Sequence, residues 1–112
     1  MTLRKIIREN YEIELPEGAD KSLALEYEKK ITRELKDYVA FDSYRFVKGR
    51  GRRLSKIGDI LSIGGKIKIF EEWKSNEVIS LKVLFAYVNK TSEEDLEIIR
   101  NGLKNAGLEK SL

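Results

Sequence analysis

The sequence predicts an α+β fold: a four-stranded antiparallel β-meander with a long N-terminal-side helix and a C-terminal helix packed on one face. Two segments carry apolar residues at helical spacing. Four segments alternate or are continuously apolar, as strands do, and turn residues separate them. The 112 residues, 41% of them hydrophobic, suit a single domain covering residues 1–112 with one core.

The N-terminal third is expected to contain a short amphipathic segment, a brief strand and the long helix. Leu3 to Arg8 reads as an amphipathic turn, and Tyr11–Leu15 alternates like a strand that ends before Pro16-Glu-Gly18. Asp20 is the expected N-cap of a helix that stops near Val39. The apolar stripe of this helix is predicted at Ala24, Tyr27, Ile31, Leu35 and Tyr38.

The middle of the chain is predicted to form the meander. Gly49-Arg-Gly51 ends its first strand, Gly64-Gly65 is a strong hairpin signal, and Ser75-Asn76 marks the last turn. The four strands are expected at Phe41–Lys48, Ile57–Ile63, Lys66–Trp73 and Val78–Val88.

The C-terminal helix begins with a capping box. Thr91 is the expected N-cap, and Glu94 is expected to reach back to it. Gly107 suits the position after the helix, where a left-handed backbone conformation is common. The buried stripe is predicted at Leu96, Ile99, Leu103 and Ala106.

Strand register predicts what each sheet face presents. A three-residue loop at 64–66 would pair Ile63 with Ile67, and the next hairpin would pair Ile69 with Val83, giving one apolar core face. The neighbouring strand would add either Tyr44 and Phe46 or Arg45 to the opposite face. That face is otherwise predicted to carry Ile60, Ser62, Lys68, Phe70, Glu72, Ser80, Lys82 and Leu84.

Positive charge is concentrated in one segment. The chain has 22 cations and 19 anions, a net charge of +3. The segment from Arg45 to Gly58 contains six cations and no acid, so the rest of the chain carries 3 − 6 = −3. The six are Arg45, Lys48, Arg50, Arg52, Arg53 and Lys56. This one-signed distribution favours contact with a polyanion, with residues 49–53 as a flexible basic finger.

These features together predict a non-enzymatic protein that binds single-stranded DNA or RNA. Bases would stack on exposed rings while lysines and arginines contact phosphates. The expected binding residues are the six cations above with Lys68, Phe70, Lys82, Tyr44 and Phe46. Two other interpretations stay open: the lysines form a solvated face, and Tyr44 and Phe46 belong to the core.

The element order and the basic-aromatic face resemble the core of ThermoDBP, a single-stranded-DNA-binding family of thermophilic archaea. The resemblance covers residues ~20–106 and rests on organisation rather than on a motif, so no functional residue is carried over. It implies single-strand binding and a homo-oligomer. The charged content of 37% is likewise typical of thermophilic proteins.

A metal-dependent nuclease is the alternative function. The order of one motif resembles the restriction-endonuclease-like superfamily, which includes archaeal Holliday-junction resolvases. The motif is Asp59, then a glycine turn, then Glu72-Trp-Lys74. That resemblance implies Asp59 and Glu72 as ligands of Mg²⁺ or Mn²⁺ and Lys74 as the catalytic cation. The superfamily continues with a helix after Glu-x-Lys, whereas Ser75-Asn76 here predicts another strand. Without this site we expect no cofactor.

The remaining composition excludes several classes of site. With no cysteine and no histidine, the chain forms no disulfide, thiolate zinc site or Ser-His-Asp triad. No apolar run is long enough to span a bilayer and no signal peptide is recognisable, so we expect a cytoplasmic protein without a membrane partner. A protein–protein interaction module whose basic loop meets an acidic partner is the third hypothesis.

Overall fold

The computed structural model describes residues 4–43 and 51–111, which form six strands and two helices. The strands are β1 (Ile6–Glu14), β2 (Val39–Ser43), β3 (Arg52–Ile60), β4 (Gly65–Lys74), β5 (Glu77–Val88) and β6 (Glu109–Ser111). The helices are α1 (Lys21–Leu35) and α2 (Glu93–Asn105). All strand pairs are antiparallel, and the sheet order is β2-β3-β4-β5-β1-β6.

The α+β class is confirmed, but the four-strand count is wrong. The predicted meander is present as β2 to β5, while β1 pairs with β5 along its whole length and β6 adds to β1. Within the described residues, Ile6 to Arg8 belong to a strand rather than to the expected amphipathic turn. The buried Glu9 stands where an apolar residue would have continued the alternation of β1.

Helix α1 begins as predicted and ends earlier. The Asp20 carboxylate accepts a hydrogen bond from the Leu23 N–H at 3.0 Å, as an N-cap does. The helix stops at Leu35, and a turn leads into β2, so Tyr38 is 41% exposed instead of extending the stripe. The buried stripe is Ala24, Glu28, Ile31 and Leu35.

Helix α2 starts one residue later than expected. Ser92, not Thr91, is the N-cap, and its hydroxyl accepts a hydrogen bond from the Asp95 N–H at 3.3 Å. Gly107 follows the helix with φ of +97°, the left-handed conformation predicted for it.

The β3–β4 hairpin has a different register from the predicted one. Ile60 pairs with Gly65, so the loop holds the four residues 61–64 instead of three. The β4–β5 register is as predicted at Ile67 opposite Phe85 and Ile69 opposite Val83. The expected pairing of Trp73 with Ile79 is wrong, because the register shifts after Glu72 and Trp73 pairs with Val78. Because side chains alternate along a strand, a loop with four residues instead of three turns the opposite set of β3 side chains toward the core.

Both helices pack on the same face of the sheet. Gly102 of α2 faces α1 so closely that a Cβ there would lie 2.5 Å from Leu35 Cδ2. Side chains from both layers fill the core, including Ile31, Ile69 and Phe85, which are at most 1% exposed. Burying each such side chain contributes about 1.5–3 kcal/mol to folding.

Among residues 4–43 and 51–111, neither helix combines the length and apolarity needed to cross a bilayer.

Candidate nucleic-acid interface

The sheet face opposite the helices is uncovered by any element that the structure describes; we call it the open face. Cross-strand pairing arranges its side chains in rows that run from β3 through β4 and β5 to β1. The rows are Asp59, Lys66, Ala86 and Arg8; Ile57, Lys68, Leu84 and Asn10; Leu54, Phe70, Lys82 and Glu12; and Arg52, Glu72, Ser80 and Glu14. All of these residues except Ser80 are half-buried or exposed.

The structure brings Lys68, Phe70 and Lys82 together on the open face. Phe70 lies directly opposite Lys82, and Lys68 lies two residues before Phe70 on the same face of β4. Ile60 and Ser62, also expected here, are elsewhere: Ile60 is buried and pairs with Val39, and Ser62 is in the hairpin loop. The four-residue loop causes this difference.

The cations around Phe70 are largely neutralised within the protein. The Arg52 guanidinium lies 5.4 Å from the Phe70 ring centroid and donates a hydrogen bond to the Glu72 carboxylate. Lys82 Nζ lies 3.8 Å from the same carboxylate. The aromatic end of the open face therefore offers a ring with little uncompensated charge.

Uncompensated positive charge lies at the other end of the open face. A cleft of about 480 Å³, which we call the hairpin cleft, runs beside the β3–β4 loop. Its lining includes Ile6, Arg8, Ile63, Lys66, Leu84 and Ala86. Lys66 Nζ is 3.8 Å from Asp59, while within the described part of the chain Arg8 and Lys68 have no carboxylate within 4.0 Å.

The predicted basic cluster is divided between the two sides of the sheet. Arg52 and Arg53 belong to β3 rather than to a flexible finger, and alternation sends them to opposite faces. Arg52 is on the open face, whereas the Arg53 guanidinium stacks 4.2 Å from the Trp73 ring centroid and Lys56 lies opposite the buried Ile69. Arg45, Lys48, Arg50, Tyr44 and Phe46 lie outside the described residues.

A β-bulge in β3 places Arg52 and Lys56, which are four residues apart, on opposite faces. The pairing with β4 shifts between Leu54 and Lys56, so Ser55 is an extra residue. Leu54 returns to the open face opposite Phe70, and Ser55 is buried beneath α1.

The residues of the nuclease alternative do not converge. Asp59 lies opposite Lys66, and Glu72 follows Lys66 by six residues along β4, which places the two carboxylates about 20 Å apart. One divalent ion cannot bind both, because carboxylate ligands lie ~2–2.6 Å from Mg²⁺ or Ca²⁺. Lys74, at the end of β4, lies still further from Asp59. Among the residues that the structure describes, no group of three acidic side chains could hold a metal.

Two buried acidic groups escaped the sequence prediction. The first is Glu28 of α1 with Glu71 of β4, which are 0% and 1% exposed. Glu71 is hydrogen-bonded by Lys21 and by Trp73 Nε1, whereas neither Glu28 oxygen has a hydrogen-bond partner within the described residues. Burial raises the pKa of Glu28 to about 7, and the neighbouring Glu71 charge adds to this while Ser55 opposes it.

The second group centres on Glu9. Its carboxylate accepts hydrogen bonds from Tyr11 Oη at 2.8 Å, Tyr87 Oη at 2.6 Å and Arg100 Nη2 at 2.6 Å. Burial alone would raise the pKa of Glu9, but these donors, Arg100 foremost, lower it to about 2. This network joins β1, β5 and α2.

The sequence contained a signal for both members of the first group. Glu28 follows Ala24 by four residues and precedes Ile31 by three, so it occupies a stripe position of α1. Glu71 continues the alternation of Ile67 and Ile69 in the same way. Both acids are buried because their positions follow the periodicity of the apolar residues around them.

Comparison of the chain with protein-family models, with curated proteins and with solved structures finds no significant match.

Proposed function

We propose that this protein binds single-stranded nucleic acid, DNA or RNA, through the open face and performs no catalysis. The observation that carries the proposal is the composition of this uncovered face. An apolar strip containing the Phe70 ring is bordered by Arg8, Lys66, Lys68 and Lys82. Contiguous exposed apolar surface rimmed by polar groups is typical of an interaction site.

The physical match is to an unpaired strand rather than to a duplex. Unpaired bases expose flat apolar surfaces that stack on a ring or lie on aliphatic side chains, for about 1–3 kcal/mol per base. A duplex hides those surfaces and presents phosphates and groove edges instead. Sheet faces of comparable width hold two or three bases in other RNA-binding domains.

The charges support a modest electrostatic contribution. Lys66 and Lys82 already lie 3.8 Å from Asp59 and Glu72, whereas within the described residues Arg8 and Lys68 have no carboxylate within 4.0 Å. Neutralising about two phosphates of a single strand gives a log–log salt slope of roughly −1.5. The single-strand function implied by the resemblance to ThermoDBP, the homo-oligomer, the thermophilic origin and the cytoplasmic location remain predictions from the sequence.

The proposal is tested by fluorescence anisotropy with labelled single-stranded and double-stranded DNA and single-stranded RNA over a salt series. We expect tighter binding of single strands and a slope of about −1.5. The double variant Lys68→Ala/Lys82→Ala should weaken binding and flatten the slope by about one.

The matched control is Lys29→Ala/Lys104→Ala, which removes the same charge from the exposed surfaces of α1 and α2. It should leave the slope almost unchanged. Absence of binding to every nucleic acid, or equal losses in the two double variants, would contradict the proposal.

The aliphatic residues of the open face favour a second candidate, a protein partner or a second copy covering the same face. Leu54, Ile57 and Leu84 lie in its centre, and Ile6 at its margin is 58% exposed. Sedimentation of the wild type and of Leu84→Lys distinguishes the two functions. A dimer that Leu84→Lys dissociates, together with no strand binding, supports the second candidate.

A further inference from the structure

We propose that the hairpin cleft is the subsite for one unstacked base of the bound strand and holds its phosphate between Arg8 and Lys66. This inference rests on the proposed function and goes beyond it by assigning a base and a phosphate to particular residues.

The shape of the cleft favours a single ring. Its floor is β5, where the small side chain of Ala86 leaves depth and Leu84 continues the apolar surface. The side chain of Ile63 and the glycine backbone at 64–65 line the part beside the loop. The volume of about 480 Å³ lies in the range of small-molecule sites.

The charges of the cleft favour an anion attached to that ring. Arg8 and Lys66 lie in one row with Ala86 between them, so their backbones are about 10 Å apart across two strand spacings. Both side chains are exposed and long enough to lean toward an anion above Ala86. Lys68 adds a third positive charge on the side toward Phe70.

Asp59 supplies an acceptor at the same rim. Its carboxylate is exposed and lies 3.8 Å from Lys66 Nζ, so the Asp59 oxygens remain accessible to a ligand. A carboxylate accepts hydrogen bonds from an exocyclic amino group such as cytosine N4. We therefore expect the cleft to prefer cytosine over thymine, which lacks this donor.

The test compares Ala86→Leu, which fills the cleft without changing charge, with Ala40→Leu. Ala40 pairs with Asp59, so the control makes the same change on the same face one strand beyond the cleft. Each protein is titrated with oligo(dC), oligo(dT) and free dCMP, with anisotropy for the oligonucleotides and NMR shift perturbation for dCMP. Thermal unfolding checks that both variants are folded.

We expect Ala86→Leu to weaken oligo(dC) binding about tenfold, the value of one base contact, and to abolish the dCMP shifts near Ala86. Ala40→Leu should bind like the wild type. Asp59→Ala, which removes the acceptor, should remove the preference for oligo(dC). A second charge variant, Arg8→Gln, should weaken dCMP binding and reduce the salt slope for oligonucleotides by about one.

The outcomes separate the two proposals. If Ala86→Leu binds oligonucleotides as the wild type does while Phe70→Ala loses affinity, the cleft assignment is overturned and the proposed function stands. If no oligonucleotide binds but dCMP binds to the wild type and not to Ala86→Leu, the cleft is a nucleotide site and strand binding is overturned. If neither ligand binds, both proposals are overturned.

Discussion

The two faces of the sheet are built to different requirements. On the face under the helices, apolar side chains such as Ile69, Val83 and Phe85 are at most 1% exposed, and the Glu9 carboxylate is surrounded by donors. On the open face, lysines and aliphatic residues alternate around Phe70, and much of their surface contacts solvent. The covered face determines the fold, and the open face is available for a ligand. Substitutions on the two faces should therefore change different measurable properties.

The largest expected effect is loss of the α2 cation that pairs with Glu9. Arg100→Ala should lower the free energy of unfolding by about 3–5 kcal/mol, because Glu9 then becomes a buried charge without its main partner. Urea unfolding measures this. Arg33→Ala removes an exposed arginine of α1 and should change the free energy by at most ~0.5 kcal/mol. Equal unfolding midpoints for the two variants would contradict the assigned role of Glu9.

The next effect separates the two buried acidic groups by pH. Because the folded pKa of Glu28 is raised from 4.5 to about 7, the folded state holds more protons in that interval. The free energy of unfolding should therefore fall by a few kcal/mol as the pH rises from 4.5 to 7.

Glu9 acts in the opposite direction. Its pKa is lowered to about 2, so its contribution is present above pH 4.5 and is lost as the pH falls toward 2. Together the two groups predict maximal stability near pH 4.5, measurable by urea unfolding over a pH series. Glu28→Gln should remove only the fall in the free energy of unfolding above pH 4.5. If that fall persists in this variant, Glu28 is not its source.

Removing the ring of the open face should change binding more than stability. Phe70→Ala is expected to weaken single-strand binding by about 1–3 kcal/mol without altering the salt slope, because a stacking surface is lost and no charge is removed. Tyr27→Ala, which removes a half-buried ring on α1, is the matched control. Loss of affinity in the control and not in Phe70→Ala would place the strand on the helix side.

The smallest effect concerns the carboxylate beside that ring. Glu72→Gln should tighten single-strand binding by up to about 1 kcal/mol, because it releases Arg52 and Lys82 from their ion pairs. Glu26→Gln changes an exposed acid of α1 by the same amount of charge and should have a smaller effect. Unchanged or weaker binding by Glu72→Gln would show that the strand avoids this end of the open face.

Much of the fold could be predicted because its signals are local. The Asp20 cap, the Ser75-Asn76 turn and Gly107 act through their own backbone conformation or that of close neighbours. The β4–β5 register likewise followed from matching apolar residues across a short turn. The candidate site was predictable to the same extent: Lys68, Phe70 and Lys82 share a face because β4 and β5 form that hairpin.

The sequence by itself determined the helices, the meander and the choice of residues that β4 and β5 turn away from the core, because caps, turns and alternation act over a few residues. Only the tertiary structure decided that β1 enters the sheet beside β5, that β6 adds to it, and that a bulge at Ser55 places Arg52 and Lys56 on opposite faces. These outcomes depend on pairing between distant segments. Their free energy comes from long-range packing, which no local pattern contains.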